Sequence, residues 1–200
     1  MSQATISVGA YILGSNVSVS LSRADDGAGQ WNPTVAAGKT GELTTRTDND
    51  TGVATLSTGH GITTGQKVDV FWNGGRRYNM TATVATNAVT VDGGGGDNLP
   101  VQGTAVVLCV HTVVNAAFDP DDLTALLITA SKRASVVLVD AGDNILFAVD
   151  LAAGECSLWW SNSGITCPMS GNDVAHIWVG NGDSAAALAA SVSVLYDATP

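Results

Sequence analysis

Residues 66–92 read QKVDVFWNGGRRYNMTATVATNAVTVD, and they contain three short apolar segments separated by turn-forming residues. Asn73 and Gly74 lie between the first two segments. An Asn-Gly pair between such segments is a strong hairpin signal, because it adopts positive φ at little cost. We therefore predict three β-strands here, with a hairpin at positions 73–74.

Similar segments, VATLST and TAVVLCV, lie before and after this stretch, within residues 53–58 and 104–110. Five short strands with turns between them fit a small barrel of the SH3 or OB type. We predict a β-barrel-like module at residues 43–103.

The rest of the chain also has the pattern of strands. Residues 4–22 alternate between apolar and polar types, and after residue 114 six apolar segments follow at the spacing of sandwich strands. We expect an all-β protein in which residues 4–22 and 104–200 form a β-sandwich, 43–103 is an insertion, and 24–42 is a Gly/Asp-rich loop. The alternative is two consecutive domains that divide near residue 103.

Two segments give mixed signals. Asp119 and Pro120 are good residues for the start of a helix, so we predict one short helix there. The Ala-rich residues 185–190 have helical propensity, but SVSVLYD after them alternates, and we predict a strand.

The composition limits the classes of partner. The formal net charge is -10 and charged residues are 13% of the chain, so we expect no direct nucleic-acid binding and no membrane binding. Neither a secretory signal nor an apolar run of membrane-spanning length is seen in the sequence, so we expect synthesis in the cytoplasm. The weakly charged surface favours packing against neighbouring subunits.

The sequence offers no catalytic or metal-binding motif. Its three cysteines lack a CxxC spacing, so we expect free thiols, with a Cys156–Cys167 bridge as the alternative. The three histidines lack a metal-ligand spacing, and Gly38-Lys39-Thr40 lacks the first glycine of a phosphate-binding loop. We expect no cofactor, no metal and no enzymatic activity.

Five residues are candidates for an interface. Trp159 and Trp160 are successive strand residues, so one of them should point away from the core. Trp178 is the third candidate, and Arg76 and Arg77 at the hairpin are the others. The alternative for the arginine pair is an ion pair at the end of the hairpin.

Two regions of the chain, residues 51–100 and segments within residues 150–197, resemble accessory proteins of tailed-bacteriophage virions. Residues 51–100 share the TGHGITTG turn, the apolar strand, the glycine hairpin and the closing GGGGDNLP, and residues 150–160 (DLAAGECSLWW) and 174–197 resemble the C-terminal part of such proteins. The resemblance implies a virion protein that is assembled in the host cytoplasm. It implies as partners other copies of the chain and other virion proteins, such as the major capsid or tail proteins.

We therefore expect a non-enzymatic structural protein, a capsid decoration or accessory subunit that binds through β-edges and aromatic contacts. The alternatives are a tail tube, collar or fibre-attachment component, and a carbohydrate- or receptor-binding module. An enzyme such as a glycosidase would need two carboxylates facing each other across a cleft, whereas the acids of this chain lie mainly in turns.

Overall fold

The computed structural model describes residues 4–12, 15–23, 26–94, 98–161, 167–169 and 171–197. These residues form seventeen strands and no helix, as expected for an all-β protein. The strands are β1 Ala4–Ile12, β2 Ser15–Arg23, β3 Asp26–Trp31, β4 Thr34–Val35, β5 Lys39–Arg46, β6 Thr51–Leu56, β7 Lys67–Trp72, β8 Gly75–Ala85, β9 Ala88–Asp92, β10 Ala105–Val110, β11 Thr112–Phe118, β12 Leu123–Ala130, β13 Ala134–Val139, β14 Ile145–Leu151, β15 Cys156–Trp160, β16 Val174–Asn181 and β17 Leu188–Asp197.

Strands β5 to β10 form a closed barrel in the order β10-β5-β6-β9-β8-β7. Alternate residues of these strands fill the interior, where Leu43, Val68, Met80 and Leu108 are fully buried. The Asn73-Gly74 turn joins β7 to β8 as predicted, with Trp72 paired to Gly75 and a φ of 90° at Gly74. Residues 95–97, within the GGGGDNLP stretch, lie outside the described residues.

Two of the three remaining sheets form a β-sandwich. One sheet has the order β11-β16-β13-β14, and the other has the order β15-β12-β17-β3, with β4 also paired to β17. Their inner faces form the largest apolar core, which includes Leu126, Ile128, Leu138 and Ile177. In the sequence, the barrel strands lie between β4 and β11. The sandwich therefore contains strands from both sides of the barrel, and β3 from before it pairs with β17 from after it.

The predicted boundaries need three corrections. Residues 24–42, predicted as a loop, contain β3, β4 and the first residues of β5. Residues 105–110, assigned to the sandwich, complete the barrel as β10. Residues 4–22 pair with each other as the β1–β2 hairpin rather than with a sandwich sheet, within the part of the chain that is described.

The loop prediction failed because it relied on side-chain pattern alone. β3 has the sequence DGAGQW, which lacks alternating apolar residues, yet its backbone pairs in continuous register with β17 from Asp26 to Trp31. β5 starts with KTGE and closes the barrel between β6 and β10. In both strands the partner strand, rather than intrinsic propensity, fixes the conformation.

The predicted helix at Asp119 is wrong. The Asp119 carboxylate accepts a hydrogen bond from the Asp121 backbone N–H at 2.8 Å, and the Leu123 N–H donates to the Pro120 carbonyl at 3.2 Å. One turn therefore forms, but the chain continues as β12, whose residues are almost all buried. The strand prediction for the segment after residue 187 is confirmed by β17.

Candidate functional site: the barrel contact and the sandwich edges

The barrel packs on the outer face of the β11-β16-β13-β14 sheet, and Asp69 of β7 lies at the centre of the contact. Asp69 is 1% exposed. Its carboxylate accepts hydrogen bonds from the Ser135 hydroxyl at 2.7 Å and the Asn79 backbone N–H at 3.0 Å, and His111 Nδ1 lies 3.3 Å away. Gly180 lies directly beneath the carboxylate, where a Cβ atom would collide with it.

Arginines hold the rim of this contact. The Arg133 guanidinium donates to the carbonyls of Trp72 and Gly75, both at 2.8 Å, and so binds the end of the β7–β8 hairpin. Arg76 forms an ion pair with Asp150 of β14 and lies 4.4 Å from the centre of the Tyr78 ring. Burial raises the pKa of Asp150, while the nearby guanidinium of Arg76 acts in the opposite direction.

The structure places three of the five interface candidates inside the chain. Trp178 is 5% exposed and stacks on the His111 ring with centroids 5.2 Å apart. Arg77 is 8% exposed and donates to the Gly93 carbonyl at 3.3 Å. Arg76 is engaged by Asp150. The prediction that Trp178 and Arg77 face a partner is therefore corrected, because both are internal contacts.

Trp159 and Trp160 of β15 point to opposite faces of the strand, as the alternation predicts. Trp159 is 9% exposed and belongs to the sandwich core, whereas Trp160 is 39% exposed. Trp160 is therefore the interface candidate that remains accessible.

The edge strands of the two sheets are weakly protected. In the described chain these edges are β3, β11, β14 and β15, and their sequences contain no Lys, Arg or Glu and two Asp. β11, β14 and β15 each carry an exposed large apolar residue, namely Val113, Ile145 and Trp160. Edges of soluble proteins are usually blocked by Lys, Pro or bulges. These edges contain no Lys or Pro, although β11 and β14 pair with shifts in register, and they are candidate docking sites.

The other buried titratable groups have structural contacts, and Cys109 also lies at the barrel contact, where its sulfur accepts a hydrogen bond from the Asn181 N–H at 3.3 Å. The Ile62 N–H donates to His60 Nδ1 at 3.1 Å, so Nε2 carries the proton and donates to the Thr86 carbonyl at 3.0 Å. Burial raises the pKa of the Cys109 thiol to about 11. Cys109, Cys156 and Cys167 are free thiols, so the alternative bridge does not form.

Asp140 closes the loop between β13 and β14. Its carboxylate accepts hydrogen bonds from the backbone N–H groups of Gly142 and Asn144 and from the side-chain amides of Asn144 and Asn172. These hydrogen bonds lower the pKa of Asp140 to about 2, and the side-chain amide of Asn144 makes the largest contribution. Across the described ranges, no three His, Cys, Asp or Glu residues are placed to hold a metal ion.

Sequence reasoning missed the contact of Asp69 with Ser135 and His111. A charged residue within the apolar strand VDVF was a usable signal, because a buried carboxylate needs partners. Its partners lie 42 and 66 positions away, so sequence spacing could not identify them.

No protein-family model, curated protein or solved structure matches this chain. Among the residues that are described, no helix has the length and apolar character needed to cross a membrane.

Proposed function

We propose that this protein is a non-enzymatic structural subunit of a bacteriophage virion, a capsid decoration or accessory protein. It binds copies of itself and other virion proteins through sheet edges and exposed aromatic residues. The observation that carries this proposal is the set of edge strands without Lys, Arg or Glu that expose Val113, Ile145 and Trp160.

The arrangement of the sandwich supports edge binding. The barrel covers Val137, Val139 and Trp178 on the outer face of one sheet, where Tyr78 of β8 packs against them. On the other sheet, Ala125, Leu127 and Leu195 are buried on the outer face. Among the described residues, the lateral edges are therefore where the sandwich has backbone groups without a partner strand next to accessible apolar side chains, and such groups gain most from a neighbouring strand.

The polar groups support a binding role rather than turnover. Asp69, His111 and Ser135 hold the barrel on the sandwich, and Cys109 is buried with a raised pKa, which disfavours the reactive thiolate. The resemblance of residues 51–100 to virion accessory proteins supports the same role. The same edges could bind neighbouring subunits in a tail tube, collar or fibre-attachment component. The test must therefore locate the protein within the particle.

The proposal is tested by immunogold electron microscopy. Antibodies raised against the recombinant chain are applied to gradient-purified tailed-phage particles from the culture that carries the gene. We expect regular labelling of the capsid, whereas labelling of the tail would support the tail positions instead. The proposal is overturned if the particles are not labelled.

A further inference from the structure

The chain contains two Asn-Gly pairs, at residues 73–74 and 181–182. Asparagine is one of the chemically labile residues of proteins. Its side-chain amide is attacked most easily when glycine follows, because glycine has no side chain to hinder its own backbone nitrogen. The two pairs therefore have similar local chemistry, and a difference in their reactivity must come from the fold.

The fold blocks the pair at Asn181. This residue is 0% exposed, and its side-chain amide donates to the Ala36 carbonyl at 3.1 Å. Its side-chain oxygen accepts a hydrogen bond from the Asp183 N–H at 2.9 Å. The attacking nitrogen is also engaged, because the Gly182 N–H donates to the Arg133 carbonyl at 2.8 Å. A reaction at position 181 therefore requires these hydrogen bonds to open first.

The fold leaves the pair at Asn73 open. Asn73 and Gly74 form the exposed two-residue turn between β7 and β8, and a Cβ atom added at Gly74 would meet nothing within 4 Å. Among the described residues, the Asn73 side chain and the Gly74 N–H have no hydrogen-bond partner. Both reacting groups are therefore available in the folded chain.

We infer that Asn73 is a site of spontaneous deamidation in the folded protein, whereas Asn181 is protected. The Gly74 nitrogen bonds to the side-chain carbonyl carbon of Asn73, the C–N bond of the amide breaks, and ammonia leaves with the proton from the Gly74 nitrogen. The product is a cyclic succinimide. Water then opens this ring at one of its two carbonyls and gives either aspartate or isoaspartate. Water is the only co-reactant, and no group is oxidised or reduced.

The modified turn is one that holds the barrel on the sandwich. The Arg133 guanidinium donates to the carbonyls of Trp72 and Gly75, one on each side of the turn, both at 2.8 Å. Isoaspartate adds one backbone carbon between these two carbonyls, so their spacing no longer fits the guanidinium. Aspartate keeps the backbone path and adds one negative charge to a chain of net charge -10. Isoaspartate at position 73, rather than aspartate, therefore weakens the barrel contact.

Peptide mapping by mass spectrometry tests the selectivity. The native chain is incubated at mildly alkaline pH, and deamidation at positions 73 and 181 is followed over time. We expect position 73 to react at least about 100-fold faster than position 181, since Asn181 reacts only after its hydrogen bonds open. In the urea-unfolded chain the two positions should react at similar rates, which provides the internal reference.

Two variants at position 73 act as matched controls. Asn73→Gln keeps a side-chain amide but would have to close a larger ring, so it should stay intact under the same conditions. Freshly prepared Asn73→Asp reproduces the charge of the products without the added backbone carbon. The isoaspartate form, separated by chromatography, should unfold at a lower urea concentration than Asn73→Asp, which should match the unmodified chain.

Equal rates at positions 73 and 181 in the native chain would overturn the assignment. So would a position 73 that stays intact in the native chain under conditions that convert it in the unfolded chain. Equal unfolding midpoints for the isoaspartate form and Asn73→Asp would overturn the effect on the barrel contact.

Discussion

At the scale of single residues, the most consequential side chain is the Asp69 carboxylate between barrel and sandwich. Burying a carboxylate is costly unless hydrogen-bond donors replace water. Here Ser135, Asn79 and His111 surround it, and Gly180 provides the space. At its centre the contact therefore depends on the Asp69 carboxylate of the barrel and on small or polar residues of the sheet.

We expect Asp69→Ala to lower the free energy of unfolding by about 3 kcal/mol, because the buried Ser135 hydroxyl and Asn79 N–H lose their acceptor. Urea denaturation monitored by tryptophan fluorescence measures the change. The control is Asp122→Ala, at an exposed turn position, which should change stability by less than about 0.5 kcal/mol. A loss below about 1 kcal/mol for Asp69→Ala would show that the carboxylate does not hold the contact.

The Asp140 loop gives a pH prediction. The pKa of Asp140 is about 2 in the folded chain, below its ordinary value of 3.8, so its ionised form stabilises the fold above about pH 4. That contribution is lost as the pH falls through about 2. Asn144→Ala removes the strongest donor, so the pKa of Asp140 should rise and the decline in stability between about pH 4 and pH 2 should become shallower.

Urea titrations at several pH values in this window test the prediction, and direct NMR titration of Asp140 gives its pKa. Asn172→Ala is the matched control, because its amide has a smaller effect on the carboxylate and should flatten the decline less. An unchanged pH profile in Asn144→Ala would contradict the assignment.

At the scale of elements, alternation in the sequence predicts most strands, and tertiary pairing determines the others. The segments of β6 to β10 and β12 to β17 are visible as apolar runs, and the turn at Asn73 and Gly74 has a local cause. β3 and β5 are strands because β17 and β6 pair with them. Among the candidate residues, alternation correctly predicts that Trp159 and Trp160 point to opposite faces of the strand. The burial of Trp178 and Arg77 depends on how the barrel packs on the sandwich, and no local sequence pattern predicts that packing.

The barrel bounds give an element-scale prediction. Lys39 pairs with Leu108, so the chain enters and leaves the barrel side by side. Replacing residues 39–110 by a short Gly-Ser linker should leave a sandwich that unfolds cooperatively. Its stability should fall by about 5 kcal/mol, because Val137, Val139 and Trp178 lose their apolar cover and the replacement removes Phe71 and Cys109 from the sandwich core.

The matched control replaces residues 43–103, the bounds predicted from the sequence. This variant retains parts of β5 and β10 that pair with each other alone, and a lone two-stranded ribbon is marginally stable. We expect it to aggregate with Val106 and Leu108 exposed. Thermal unfolding of the 39–110 replacement without a cooperative transition would mean that barrel and sandwich fold as one unit.

At the scale of the whole molecule, the two sheets, the barrel and the edges have separate roles. The barrel covers one face of the sandwich, and the core between the sheets supplies stability. In the proposed function, the edges are the sites at which other chains bind. Trp159 and Trp160 are adjacent in the sequence, but Trp159 lies in the core and Trp160 lies on the exposed face of an edge strand. They therefore provide a matched pair of substitutions.

We expect Trp159→Ala to lower the free energy of unfolding by about 4 kcal/mol, because it leaves a cavity in the core. Trp160→Ala should cost less than about 1 kcal/mol of stability, since the side chain is 39% exposed. It should instead weaken self-association by about 2 kcal/mol, or roughly 30-fold in the dissociation constant. Urea denaturation measures the first quantity and sedimentation velocity over a range of concentrations measures the second. Association that is unchanged in Trp160→Ala would mean that the chains do not meet through β15, and the contact would then have to be sought at Val113 or Ile145.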